Sequence, residues 1–230
     1  MRPALAPAQL EKEISELLEA GASGLLLSGG CDAQGRVPLD EYVAVLAGAR
    51  RNGLQVNLHP GLCDEARARR LAPAADTVSL DLLCDDEAAR SALHLPSAAG
   101  HVATMHAWTG KGPEVVPHLL VGLGRESSEL EGIALCRSLG IRRLILLALI
   151  PLPGATGGSQ DRFLRVARAA LDVVPEVALG CMRPRGDASL EIACLGLGVK
   201  HIANPSRAAL AHAKEIGMDV RTVHASCSLS

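Results

Sequence analysis

Aromatic residues are almost absent from this chain of 230 residues: one Trp, one Tyr and one Phe. Single-stranded nucleic acids bind on aromatic platforms that stack the bases, so that class of function is excluded. No strong charge of either sign is present, since the formal net charge is -2, and a polyanion-binding surface is excluded with it. Long apolar runs are missing as well, and no segment reaches the roughly 20 residues that cross a bilayer. Lysine is scarce. Lys12 and Lys214 fall on helical stretches, Lys111 in a loop and Lys200 at the start of a strand, so none is placed for Schiff-base chemistry at a strand end. The seven cysteines are all far apart, which reads as reduced thiols rather than a disulfide framework or a metal motif. The opening Met-Arg-Pro-Ala-Leu-Ala-Pro-Ala leads into a charged amphipathic stretch and has no signal-peptide pattern, so the cytoplasm is expected.

What is present is alternation. Leu10, Ile14, Leu17 and Leu18 form a helical stripe closed by Gly21, and Gly24 to Ser28 is an apolar run of the kind buried on both faces of a parallel sheet. Asp40 is expected to cap the next helix, and Leu54 to Leu58 is the next strand. Helices are predicted over 65–71, 86–93, 98–108, 127–139, 160–173, 187–196 and 206–217. Ser127 or Ser128, Asp187 and Ser206 supply caps for three of them. Strands are predicted over 77–83, 115–121, 144–150, 177–180, 199–203 and 220–223. No linker, low-complexity tract or composition break interrupts residues 1–230, which read as one domain. About seven or eight such βα units specify an α/β protein of the TIM-type barrel class rather than an open nucleotide-binding sheet. The dinucleotide fingerprint is incomplete, because Gly122-Leu123-Gly124 lacks its third glycine.

In this class chemistry belongs to the loops after the strands. Those loops contain Ser28-Gly29-Gly30-Cys31-Asp32, Asn57-Leu58-His59-Pro60-Gly61, Ser79 and Asp81 with Cys84 and Asp85, and Gly122 to Glu126. Farther along come Pro151 to Thr156, Cys181-Met182-Arg183-Pro184-Arg185-Gly186 and Asn204-Pro205-Ser206. Each has a structural reading beside a functional one. Gly29-Gly30 suits a plain turn or a close backbone approach. Asp81, inside an apolar strand, is expected to be buried and to need a partner. His59 and His118 suit satisfied histidines equally well, and Arg183 with Arg185 suits either an anion clamp or a solvated loop. Cys31, Cys63, Cys84 and Cys181 all stand at or beyond strand ends, so a metal site assembled from them is a further possibility.

The string Gly24 to Asp32, with Gly35-Arg36-Val37-Pro38-Leu39, resembles the radical S-adenosylmethionine (radical SAM) superfamily. The closest branch contains biotin-synthase-like proteins and the small subunit of the two-part lipoyl synthase. Asn57 to Gly61, Ser79 to Asp81, Pro117 to Leu123, Cys181 to Gly186 and Asn204 to Ser206 extend the resemblance in order along the chain. It implies that the backbone at Gly29-Gly30 receives the amino group of S-adenosylmethionine (SAM). It also implies that Ser79 and Asp81 lie on the strand contacting its ribose or carboxylate, and that Gly122 and Ala148 to Pro151 pass near adenine. A small-molecule or acyl-carrier-type substrate, a partner subunit and sulfur insertion are implied likewise. Cys31 stands where many members have Glu, His118 where they have Gly, and Arg125 where an acid is usual. The CxxxCxxC triplet that holds the superfamily's [4Fe–4S] cluster is missing, so metal ligands are not assigned. Met1-Arg2-Pro3-Ala4 resembles the stretch after that cluster loop, and the first strand here corresponds to the family's second. Two readings follow: a partial barrel truncated at its start, or a cluster-free relative acting as a binding or assembly subunit.

Overall fold

The computed structural model describes residues 6–150, 158–223 and 228. Helices and parallel strands alternate along them: α1 (Pro7–Glu19), β1 (Gly24–Leu27), α2 (Val43–Arg51), β2 (Gln55–Leu58), α3 (Glu65–Leu71), β3 (Thr77–Leu82), α4 (Asp86–Leu93) and α5 (Ala99–Trp108). They continue with β4 (Glu114–Val121), α6 (Glu126–Ser138), β5 (Arg143–Ala148), α7 (Gln160–Leu171), β6 (Glu176–Leu179), α8 (Ser189–Leu197), β7 (His201–Ile202) and α9 (Arg207–Glu215). The strands follow one another in a single sheet in chain order, β1 to β7. Sequential order with a helix between neighbours is the winding of the TIM-type (βα) fold, and this chain belongs to that class.

Two compact units make up the chain. Among the described residues the first takes in 6–80 and 103–115; the second takes in 81–102, 116–150, 158–223 and 228. In the first, β1 pairs with β2 from Gly24 opposite Gln55 to Leu27 opposite Leu58, and α2 lies against β2. Val56, Leu58, Val78, Leu46 and Leu71 are fully buried there, which is where the aliphatic composition is spent. In the second, Val116, Ile145 and Ala178 from β4, β5 and β6 pack together. Leu195, Ala209 and Ala213 form a second cluster between α8 and α9. Gly180 follows β6, and a Cβ there would lie 2.4 Å from Leu147 Cδ2 and 2.7 Å from Ile145 Cγ2, so glycine lets the chain pass close to β5.

Several expectations are corrected. β1 is not buried on both faces: Leu26 is 46% exposed, and β1 stands at one end of the strand order with a single neighbour. Asp40 does not cap a helix. A 3-10 turn runs over Asp40–Tyr42, and the Asp40 carboxylate takes Arg67 Nε at 2.8 Å and Arg70 at 3.3 Å instead. Neither Ser127 nor Ser128 caps α6, which starts after Arg125 with no side-chain cap, and the Ser128 hydroxyl donates to Asp85. Asp187 receives the Ser189 amide, whereas α8 begins after Ala188 with no side-chain cap. Ser206 does cap α9, through the Ala209 amide. Residues 220–223 carry no strand, and β7 is only two residues long.

Candidate functional site

The strand ends of the first unit centre on the loop after β1. Asp32 organises it: one carboxylate oxygen accepts the Gln34 and Arg36 amides, each at 2.9 Å, and its own amide donates to Arg36 O. Arg36 also forms a bridge with Gly61, whose φ of +65° and contact with the Gly35 carbonyl require glycine. Asp32 is thus the staple of the loop, and Gly29 and Gly30 are left exposed at its surface. A Cβ on Gly29 would lie 3.3 Å from Val37, while one on Gly30 would meet nothing within 4 Å. Ser28 is half-buried behind them.

Asn57 and Ser79, within β2 and β3, are buried against each other. The Asn57 amide donates to Ser79 Oγ at 3.0 Å, and that hydroxyl donates back to Asn57 Oδ1 at 3.1 Å. Mutual satisfaction accounts for their burial. His59 is half-buried, and its backbone amide donates to Leu27 O. Nearby, Arg67 is almost fully buried and spans Asp40 and the Pro60, Leu62 and Val37 carbonyls, which ties the loops after β1 and β2 together.

In the second unit the polar groups at the strand ends are bound to one another. Asp85 caps α4 through the Ala88 amide and also accepts the amide and Nε of Arg125 and the Ser128 hydroxyl. Those backbone donors hold its carboxyl far below the usual carboxylate range. Gly122 donates its amide to Glu129 Oε1 at 2.7 Å, and Arg162 grips both oxygens of that carboxylate. Burial pushes Glu129 up, and Gly122 and Arg162 offset only part of the rise. A Cβ on Gly122 would lie 2.8 Å from Gly158 N, so this loop is closely packed. His118 is half-buried with Nδ1 3.2 Å from Val116 O. Asp81 is exposed rather than buried, and the desolvation argument for it falls away.

Arg183 and Arg185 do not form an open clamp. Arg183 is buried and ion-paired with Glu191, and it also donates to the Gly180 and Asn204 carbonyls. Arg185 is exposed, but its guanidinium donates to Asn204 O and Cys181 O. Burial pushes the Glu191 carboxyl up, yet Ser206 and Arg183 outweigh it and leave it below its ordinary value. Glu129, Arg162 and Glu191 were not singled out from the sequence, although a signal existed. Glu129 stands three and four residues before the buried Gly132 and Ile133 of α6, and Glu191 three and four before Cys194 and Leu195 of α8. An acid on the buried stripe of a helix needs a cation.

His101 on α5 was also missed. Its ring is buried and Nδ1 has no hydrogen-bond partner among the described residues. Burial lowers its pKa, with Asp81 opposing the shift. A histidine held neutral in the fold is protonated first in the unfolded chain. Stability from this group is therefore complete above about pH 6.5 and falls as pH drops through the interval below it. Urea midpoints between pH 8 and 5 should show that fall, by up to about 1.4 kcal/mol per pH unit. The fall should be smaller in His101→Leu; an identical slope in both proteins would refute the assignment.

The expected cysteine site does not form. Among the described residues no three His, Cys, Asp or Glu side chains come together to hold a metal. Cys63 is buried with its amide on Thr104, and burial pushes its thiol up and that of Cys84 up to about 11. Thiols that resist ionisation are poor metal ligands. Pro151 to Thr156, Met1 to Ala4 and Cys227 lie outside the described residues.

No family model matches this sequence, and neither does any curated protein. Solved structures do resemble it in fold. A domain of pyruvate-formate lyase-activating enzyme from Bacteroides vulgatus ATCC 8482 superposes with a TM-score of 0.57 and 12% identity, covering 69% of this chain and 99% of that one. A putative deoxyribose-phosphate aldolase from Coccidioides immitis gives 0.50 and 11%, over 94% and 81% of the two chains. The 3-dehydroquinate dehydratase from Geobacillus kaustophilus HTA426 gives 0.50 and 14%, over 93% and 89%. These likenesses define an enzyme-like TIM-type fold and nothing narrower. Among the described residues no helix is long and apolar enough to cross a membrane.

Proposed function

We propose that this chain is a barrel domain of the radical SAM type that binds S-adenosylmethionine at the loop after β1. The observation that supports it best is the exposed Gly29-Gly30 backbone, held by Asp32 and by the Arg36–Gly61 bridge, with open space where a Gly30 side chain would be. A preorganised backbone platform can bind an ammonium group or a carboxylate without reordering the chain. The residues of this chain do not fit a [4Fe–4S] cluster: the cysteine triplet is missing from the sequence and no three ligands meet among the described residues. No reaction step is derived through one. A second reading is favoured by that same observation: a cluster-free subunit that binds SAM without cleaving it and serves a partner. Sulfur insertion into a small-molecule or acyl-carrier-type substrate belongs to the first reading alone.

Titration calorimetry with SAM tests the binding. A Cβ at Gly30 meets nothing within 4 Å, so Gly30→Val should fold and melt as the wild type does while weakening SAM at least tenfold. Equal affinity in both proteins, or no saturable binding by either, would remove the proposal. Anaerobic iron–sulfur reconstitution separates the readings. A brown protein that releases 5′-deoxyadenosine on reduction supports the enzyme, and a folded colourless one that still binds SAM supports the subunit.

A further inference from the structure

The first unit carries a cleft at the opposite ends of its strands from the Ser28–Asp32 loop. Arg50 reaches it from the last turn of α2, Arg69 from the last turn of α3, and Asp76 and Lys111 from the segments just before β3 and β4. Its volume is about 560 Å³, within the size range of small-ligand sites. We propose that this cleft binds a small phosphate-bearing anion.

The charges that line it are unequal: three cations against one carboxylate. That carboxylate is already engaged. Asp76 Oδ1 receives Arg50 Nε at 3.0 Å and Nη2 at 2.7 Å, and Oδ2 receives the Val56 amide at 2.8 Å. Arg50 Nη1 donates to Pro73 O at 2.7 Å, so Arg50 and Asp76 neutralise each other. Lys111 and Arg69 remain. Both converge on a single oxygen, Glu65 Oε1, at 3.0 and 2.6 Å. Two cationic heads within hydrogen-bond reach of one atom stand close enough to be bridged by a single oxyanion, and Glu65 supplies one charge where two are present. Lys111 is the more costly of the two to leave underneutralised, since its side chain is only 21% exposed, whereas Arg69 is 67% and Glu65 56% exposed. With Glu65 displaced, Arg69 and Lys111 supply two positive charges for a phosphate dianion, and the remaining volume suits the rest of a small phosphate ester.

The proposal is independent of SAM binding and is tested with inorganic phosphate against chloride at matched ionic strength. Backbone amide NMR shifts should saturate with phosphate at residues 110–112 and should not do so with chloride. The double variant Arg69→Gln/Lys111→Gln should weaken phosphate at least tenfold, whereas Arg168→Gln, in a separate surface cleft on α7, should leave it unchanged. Phosphate shifts that fail to saturate, equal affinity in the double variant, or an equal loss in Arg168→Gln would each overturn the site. Circular dichroism of both variants confirms that a lost signal is not a lost fold.

Discussion

Arg183→Met is expected to destabilise the protein by about 3–5 kcal/mol, read as a shift of the urea or guanidinium unfolding midpoint. Arg183 is 1% exposed, and its Nε and Nη2 meet Glu191 Oε1 at 2.8 and 2.5 Å. Nη1 donates to Gly180 O and Nη2 to Asn204 O, while the other Glu191 oxygen accepts the Ser206 amide. One guanidinium thus joins the end of β6, the first turn of α8 and the loop after β7. Methionine keeps most of the packed volume, so the loss reports the charge and the hydrogen bonds rather than a cavity. It leaves Glu191 buried with only the half-exposed Arg185 guanidinium, 4.0 Å away, as a cation, which is the costly state. Adding Glu191→Gln should restore a large part of the loss, because an uncompensated charge costs more than a missing pair. Had Arg183 been a substrate clamp, Arg183→Met would leave stability intact and reduce only ligand affinity.

Asp85→Asn should cost about 3 kcal/mol by the same measurement. The carboxylate accepts the Ala88 amide at 3.0 Å on one oxygen, and the Arg125 amide, Arg125 Nε and Ser128 Oγ at 2.9 to 3.1 Å on the other. Asparagine would replace one of those acceptors with an NH2 group facing donors. The Arg125 guanidinium is 76% exposed, so water screens its charge, and most of the loss falls on the backbone amides. The pH dependence has a definite sign. A carboxyl held below its unfolded value contributes fully above about pH 4 and loses that contribution as pH falls further. Wild type should therefore lose stability in acid more steeply than Asp85→Asn, and parallel curves between pH 6 and 2 would refute the role. The Arg125 amide bond also anchors the loop after β4, where a Cβ on Gly124 would come within 2.7 Å of Asp85.

Both predictions concern residues whose importance was only half visible beforehand. Arg183 stood out as a strand-end arginine and Asp85 as part of a polar loop, but neither partner could be named. Glu191 is eight residues from Arg183, and Arg125 is forty from Asp85. A local pattern carries no information at that distance. The burial of Asp81 was inferred from its apolar neighbours and is wrong for the same reason: alternation along a strand names two faces without saying which one is covered.

The alternation itself was legible. Helices 65–71 and 86–93 stand where the sequence places them, and the strands keep their order, because helical period, apolar runs and glycine stops are set within a few residues. The Ser206 cap was legible too, since a cap reaches only three residues ahead. From those local rules follow the class of fold and the loops where polar residues gather. Tertiary structure decided how each polar residue is used. It left Gly29 and Gly30 open, paired Asn57 with Ser79 and Arg183 with Glu191, and brought Arg69 and Lys111 to one oxygen of Glu65. A hydrogen bond is set by where two side chains meet in space, and that depends on how the whole chain packs.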